Sequence, residues 1–224
     1  MTTRIPSRPI YIVGFLLLAF LCYQAHQLTR HLVGAALCGG LGTMTFAVTI
    51  PKETCTLPIL VTLSGPILTY GLAWSGMFLL RSSKYRLLAY ALIFASFAHL
   101  RFIQTLTGRG DELVLAQQWF GITSRPVVAV LVFLIGLPPV IAAYRVIANQ
   151  HRMRVFLSSW LLPLAVLLLL LVSNERLYGP NGDQIQSALV FGIPVVVFVI
   201  DLLAIALLIV ILTRYLPRAE KTQR

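Results

Sequence analysis

A group of polar side chains interrupts an apolar segment near the start of this 224-residue chain. Residues 24–31 read QAHQLTRH, inside a stretch that is otherwise long and apolar enough to cross a membrane. Ionisable side chains at membrane depth are costly, so each is a candidate for a functional role. The candidates in this segment are His26, Gln27, Arg30 and His31.

Three further polar residues, His99, Arg101 and Asp111, follow within a short stretch of the chain. Zinc takes about four nitrogen, oxygen or sulfur ligands, and a catalytic zinc keeps one position for water. His26 and His31 are five residues apart and differ by roughly 140° around a helix, so they can both face one ion only if a π-bulge interrupts the regular helix. In the topology predicted below, His31, His99 and Asp111 all fall towards the non-cytoplasmic side, so these three are the candidate zinc ligands.

Two alternatives use the same kinds of residue differently. His31 and His99 are the one histidine pair that could bind a b-type haem axially, or border a quinone, from two facing helices. Asp201 is a lone acid in a later apolar segment. It either pairs with Arg30, Arg101 or a hydroxyl group, or stays protonated in a proton or ion pathway.

The composition predicts the elements that position these residues. Hydrophobic residues make up 58% of the chain and charged residues 11%, and apolar runs of about twenty residues recur along it. Backbone groups in lipid must be satisfied within each segment, which favours helices. We predict an all-α integral membrane protein, one polytopic domain over residues 1–224, with six spans. The spans cover residues 10–37, 59–80, 87–106, 127–148, 155–172 and 188–212.

Two connections carry finer predictions. Residues 41–50 are rich in β-branched side chains and follow a glycine pair that ends the first helix, which predicts a short strand or a re-entrant piece. Residues 113–120, after the polar sequence TGRGDE, predict a short interfacial helix. In the second span, Ser64, Gly65 and Pro66 predict a close approach of another helix.

The distribution of charge predicts the orientation. Lysine and arginine concentrate in the N-terminal segment, in the turns at residues 81–86 and 145–154 and in the C-terminal tail, whereas the alternate connections are near neutral or acidic. By the positive-inside rule, both termini are cytoplasmic. The net charge of +11 thus reflects topology and not a nucleic-acid partner. The expected partners are the lipid bilayer of a plasma or inner membrane and other membrane proteins.

The three cysteines do not form a metal-binding pattern such as C-x-x-C. Cys22 lies in an apolar run, where we expect it to pack. Cys38 and Cys55 flank the connection between the first two spans, and a disulfide between them requires that this connection face an oxidising space.

Three stretches resemble the site-2-protease family of intramembrane zinc metalloproteases. HLVGAALCGG at residues 31–40 is similar to the sequence that follows the family's H-E-x-x-H motif. VTLSGPILTYGLA at residues 61–73 resembles the family's Ala-Gly-Pro helix, and HLRFIQTLTGRGDE at residues 99–112 resembles its third motif. The resemblance covers roughly residues 20–120.

This resemblance also implies that the catalytic groups are missing. His31 takes the place of the second zinc histidine and Asp111 that of the last zinc ligand, while the asparagine of the third motif has no counterpart and His99 is nearest to it. The first zinc histidine falls on Gln27, a poor zinc ligand. The catalytic glutamate falls on Leu28, which cannot activate water.

These observations leave three hypotheses. The first is a membrane protein with a site-2-protease-like core that no longer hydrolyses peptides and that binds or regulates membrane partners. The second is a divergent zinc metalloenzyme that uses His31, His99 and Asp111 as ligands, with Glu112 or His26 as its base. The third is a small transporter or channel centred on Asp201. The absence of a glutamate at Leu28 favours the first.

Overall fold

The computed structural model describes residues 2–52, 55–108, 110–179 and 189–214, which are mostly helical with two short strand pairs. Within those residues, six helical segments are long and apolar enough to cross a membrane. Their length and composition are those of a polytopic membrane protein. The helices are α1 (Pro9–Leu37), α2 (Pro58–Leu79), α3 (Arg86–Ala95), α4 (Arg101–Leu106), α5 (Asp111–Phe120), α6 (Arg125–Val146), α7 (Arg152–Tyr178) and α8 (Val195–Arg214).

The spans lie close to their predicted positions, with two differences at the end of the chain. The fifth span, α7, continues to Tyr178, so residues 173–178 are helical where the sequence predicts a loop. The sixth span begins at Val195 and not at residue 188, because residues 189–194 form a hairpin. The remainder of that predicted loop, residues 180–188, lies outside the described residues.

Two hairpins meet beside the last turns of α1. Strands β1 (Thr43–Met44) and β2 (Thr49–Ile50) pair antiparallel, which confirms the strand predicted after the first span. Strands β3 (Leu189–Val190) and β4 (Ile193–Pro194) form the second hairpin. The backbone amide of Met44 donates to the carbonyl of Gly192 at 3.0 Å and joins the two hairpins.

The third span is broken in its middle. Helix α3 ends at Ala95, a 3₁₀ turn covers Ala98–Leu100 and α4 completes the span. Phe97, between them, has a φ of 62°, a left-handed conformation that is costly for a residue other than glycine. Residues 93–101 are all buried, and irregular backbone at membrane depth is tolerated where surrounding protein covers it.

Polar and covalent contacts join separate segments at the two ends of the molecule. At one end, the amide of Ile5 donates to Asn149 Oδ1 at 2.7 Å, so the N-terminal segment lies against the α6–α7 turn. At the other end, a disulfide joins Cys38 and Cys55 beside the hairpins. The prediction that Cys22 packs in the interior is confirmed, since this free cysteine is buried.

The apolar core lies around α1 and α3. One cluster of buried side chains, centred on Phe94 and Ile93, packs α3 against the ends of α6 and α7. A second, with Ala19 and Phe97, packs the middle of α1 against the break in the third span and α7. This packing holds the second half of α1 beside α2, and polar side chains of α4 and α5 gather there.

Candidate functional site

Five ionisable side chains from three helices meet in a buried group, which we call the ion cluster. Helix α1 supplies His26 and Arg30, which are four residues apart and therefore share one face of the helix. Helix α4 supplies Arg101, and the first turn of α5 supplies Asp111 and Glu112. The predicted short helix after TGRGDE is thus present, and it begins with both acids.

Asp111 is the centre of the ion cluster. Its Oδ1 accepts a hydrogen bond from Arg30 Nη1 at 3.0 Å, and its Oδ2 accepts one from Arg101 Nη2 at 2.9 Å. The ring of His26 donates to the same Oδ2 from Nε2, at 3.1 Å. Both carboxylate oxygens of Asp111 are therefore engaged by cationic or imidazole donors.

Arg101 binds both acids with one guanidinium group. Its Nε donates to Glu112 Oε1 at 2.7 Å while its Nη2 binds Asp111. Tyr70, on α2, donates its hydroxyl to the same Glu112 oxygen at 3.1 Å. The forked, planar guanidinium can satisfy two carboxylates at once, which the single ammonium of a lysine cannot do with the same geometry.

His26 connects the ion cluster to α2. Its Nδ1 accepts a hydrogen bond from the Thr69 hydroxyl at 2.9 Å, because Nε2 carries the proton that it donates to Asp111. Gly65, one turn before Thr69, lies against the ring: a Cβ at that position would be 2.5 Å from His26 Cε1. The prediction that small residues in α2 permit close approach is confirmed here.

The charges of the ion cluster balance. Two guanidinium groups and two carboxylates sum to zero, so the group satisfies the rule that buried charges are paired. Burial by itself would raise the pKa of Asp111, but the His26 hydrogen bond and the nearby Arg30 and Arg101 lower this pKa below its ordinary value. Asp111 is therefore ionised at neutral pH and acts as a fixed anion.

The chain of Thr69, His26 and Asp111 has the order hydroxyl, imidazole, carboxylate that activates a nucleophile in many hydrolases. Substrate would have to reach the Thr69 oxygen, yet Thr69 and His26 are each only 4% exposed. Asp111 is also neutralised by two guanidinium groups instead of being reserved for the imidazole. The arrangement is suited to holding three helices together and not to attacking a substrate.

The structure does not bring the three predicted zinc ligands into one group. His31 Nε2 donates to the Phe191 carbonyl at 2.8 Å, and His99 Nε2 donates to the Trp160 carbonyl at 3.1 Å. In the part of the chain that the structure describes, no three His, Cys, Asp or Glu side chains are placed to hold a metal ion. Asp111 already has cations on both oxygens, so this donor set does not fit zinc.

The same contacts bear on the haem alternative. His31 and His99 each use Nε2 for a backbone carbonyl on a different element, the second hairpin and α7 respectively. Their Nδ1 atoms are buried and have no hydrogen-bond partner. These contacts do not present the two imidazoles to a common ligand.

Gln27 and Leu28, which take the places of the first zinc histidine and the catalytic glutamate, face away from the ion cluster. Gln27 Nε2 donates to the Ala47 carbonyl at 3.0 Å, and its Oε1 accepts from the Thr49 hydroxyl at 2.8 Å. Gln24 likewise donates to Phe46 at 3.2 Å. The two glutamines fasten the first hairpin to α1, whereas Leu28 is 40% exposed on the outer face of the helix.

Asp201 lies on the buried stripe of α8 between Val197 and Ala204. Its Oδ1 is buried without a hydrogen-bond partner. Arg30 and Arg101, suggested by the sequence as its partners, bind the acids of α5 instead.

Thr69 and Tyr70 are members of the site that no sequence motif indicates. Both follow Gly65 within about one turn of α2, and they are neighbouring hydroxyl residues in an apolar span. The number of charged residues gives a further indication of the site. Two arginines at membrane depth require two acids as partners, and Asp111 and Glu112 are the adjacent pair of acids nearest to Arg101 in sequence.

No protein-family model, curated protein or solved structure matches this chain.

Proposed function

We propose that this protein is a catalytically silent relative of the site-2-protease family and that it binds or regulates other proteins within the membrane. The observation that carries the proposal is the pairing of Asp111 with Arg30 and Arg101. In the resemblance, Asp111 occupies the place of a zinc ligand. Here two guanidinium groups supply the positive charge that a metal ion would otherwise supply.

The order of the elements supports the relationship. A histidine-bearing helix is followed by a hairpin, by a helix with Gly-Pro near its middle and by a connection whose Asp111 returns to the first helix. Gly65 lies directly against His26, so the Gly-Pro helix packs on the His26 face of α1, whereas His31 bonds the second hairpin. The resemblance between separate stretches of sequence thus corresponds to neighbouring parts of the fold.

The loss of activity follows from the residues themselves. A metal ion beside Asp111 would be repelled by two guanidinium groups about 3 Å from the carboxylate. Leu28 carries no base and faces outward. With hydrolysis removed, the function left to this core is contact with membrane partners through its non-cytoplasmic half.

Metal content tests the proposal. We expect detergent-purified wild-type protein to contain no stoichiometric zinc by elemental mass spectrometry. The variant Gln27→His/Leu28→Glu restores two family residues, and we expect it to remain free of zinc, because both positions face away from Asp111 and two arginines already pair with that carboxylate. Size-exclusion chromatography establishes that each protein is folded and monodisperse.

Two outcomes would contradict the proposal. About one zinc per wild-type chain, lost in both His31→Ala and Asp111→Ala, would favour the divergent metalloenzyme. About one zinc per chain in the folded Gln27→His/Leu28→Glu variant would show that Arg30 and Arg101 do not exclude a metal ion from Asp111.

A second candidate function, a transporter or channel, is favoured by Asp201 alone. An unpaired carboxyl oxygen buried in an apolar span is costly and therefore a candidate for binding a proton or cation. Ion flux into liposomes that contain the purified protein, abolished by Asp201→Asn, would support this function. Equal flux in the two proteins would exclude it.

A further inference from the structure

A cavity of about 280 Å³ lies at the opposite end of the molecule from the ion cluster. Its walls come from the first turns of α1, α3 and α7 and the last turns of α8. The N-terminal segment closes one side with Ile5, Pro6 and Ser7, and that segment is hydrogen-bonded to the α6–α7 turn through Asn149. The volume is close to the lower end of the range for small-molecule sites.

The cavity is amphipathic along its length. Deeper in the membrane its wall is hydrocarbon, including Phe15, Ala91 and Leu162. Towards the aqueous end it is lined by the exposed side chains of Arg154 and Ser158. From Arg154 to Leu162 the helix rises about 12 Å, which is within one leaflet of a hydrocarbon core of about 30 Å.

The polar end of the cavity is positive. Arg154 lies in the first turn of α7, where the helix dipole adds to its charge. None of the acids that the structure describes lines the cavity: Asp111 and Glu112 belong to the ion cluster, Glu175 lies near the end of α7 and Asp201 lies within α8. A ligand that fits has a hydrocarbon chain and an anionic head.

We propose that this cavity binds one anionic phospholipid of the cytoplasmic leaflet, with an acyl chain between α1, α3 and α7 and its phosphate at Arg154 and Ser158. The predicted topology places this end of the protein at the leaflet whose anionic lipids attract basic groups. Basic pockets between membrane helices on that side are established sites for such headgroups. The proposal does not depend on the ion cluster or on whether the protein is related to a protease.

Native mass spectrometry of the detergent-purified chain tests the proposal, with phosphatidylglycerol and phosphatidylcholine of identical acyl chains as probes. We expect one phosphatidylglycerol per chain, bound at least tenfold more tightly than phosphatidylcholine. Arg154→Gln should reduce phosphatidylglycerol binding to the level of phosphatidylcholine. Arg145→Gln is the matched control, because Arg145 is an exposed arginine at the same end that does not line the cavity.

A second variant addresses the hydrocarbon part of the site. Ala91→Phe places a larger side chain in the apolar part of the cavity without changing its charge. The smaller space should reduce the binding of both lipids. Equal binding of the two lipids by wild type, or equal losses in the Arg154 and Arg145 variants, would overturn the proposal. Lipid binding that occurs only after residues 215–224 are deleted would also overturn the proposal, because the C-terminal tail would then be the occupant of the cavity. A dimer that forms without lipid would overturn it as well, because a second copy of the chain would then be the occupant.

Discussion

The guanidinium groups of Arg30 and Arg101 determine the character of the polar site. Each lies inside a predicted span and would be costly there alone, and each contacts an acid from the short helix α5. Buried ion pairs contribute little net stability because desolvation offsets their attraction, but removing one partner leaves an uncompensated charge. Removing one charged side chain of the ion cluster should therefore destabilise the folded protein, because its partners stay buried without a counter-charge.

Asp111→Asn is the sharpest test of this dependence. The substitution preserves shape but leaves two guanidinium groups with one carboxylate, and we expect a loss of about 3–5 kcal/mol in the free energy of unfolding. Unfolding in detergent, followed by tryptophan fluorescence, measures this loss. Glu175→Gln removes an exposed acid near the end of α7 and should change the free energy by less than about 0.5 kcal/mol. Equal losses in the two variants would contradict the pairing.

The lowered pKa of Asp111 predicts a pH dependence with a definite sign. A carboxyl group whose folded-state pKa is lowered stabilises the protein fully above its unfolded-state pKa, about pH 4 for aspartate, and loses that contribution as the pH falls further. We expect the unfolding temperature to hold down to about pH 4 and to fall below it, with a smaller fall in Asp111→Asn. If most of the decrease in unfolding temperature occurred between pH 7 and 5, the titrating group responsible would be a histidine and not Asp111.

Among the elements, α2 shows most directly how the sequence positions the site. It contains Gly65, which touches the His26 ring, and Gly71, where a Cβ would meet nothing within 4 Å. The ring cannot move aside without losing its hydrogen bonds to Thr69 and Asp111. A methyl group added at Gly65 would therefore clash with the His26 ring, whereas one added at Gly71 would clash with nothing.

Gly65→Ala and Gly71→Ala form a matched pair of variants. We expect Gly65→Ala to destabilise the protein by about 1–3 kcal/mol, because the added methyl group overpacks the His26 contact. Gly71→Ala should be neutral or stabilising by up to about 1 kcal/mol, since alanine is the better helix former. Thermal unfolding of both variants in the same detergent checks this. Similar destabilisation by both would show that α2 tolerates no side chain at either position.

The elements were more predictable from the sequence than the site. Apolar runs predicted six spans, and the residues after TGRGDE predicted α5, because both signals are local. No glycine or proline in the sequence marks the break at Phe97. The break depends on the packing of the surrounding core, which the sequence pattern does not report. Residues 26 and 111 meet because α5 packs against α2, which brings the side chain of its first residue to α1, and no spacing rule reports a contact over that separation.

At the scale of the whole molecule, the two ends of the bundle differ in chemistry. One end carries the basic N-terminal segment and the α6–α7 turn, held together through Asn149. The other carries the hairpins and the Cys38–Cys55 disulfide, which is expected in an oxidising compartment. The positive-inside rule predicts cytoplasmic termini, and with that orientation the disulfide would face the non-cytoplasmic side.

Protease protection tests this orientation. Epitope tags at the N- and C-termini should both be removed by protease added to the cytoplasmic face of sealed membrane vesicles. A tag in the connection at residues 121–124 should be removed only when the vesicles are opened. Protection of either terminal tag in sealed vesicles of this orientation would contradict the six-span arrangement.

The position of the ion cluster in the sequence has a consequence for biosynthesis. All of its charged members lie within the first 112 residues, and Asp111 and Glu112 leave the ribosome ten and eleven residues after Arg101. An arginine at the centre of a span costs the insertion machinery about 2.5–3.5 kcal/mol. The nascent chain thus carries its compensating anions just behind the costly cation. The first three spans can reach charge balance before the last three are translated.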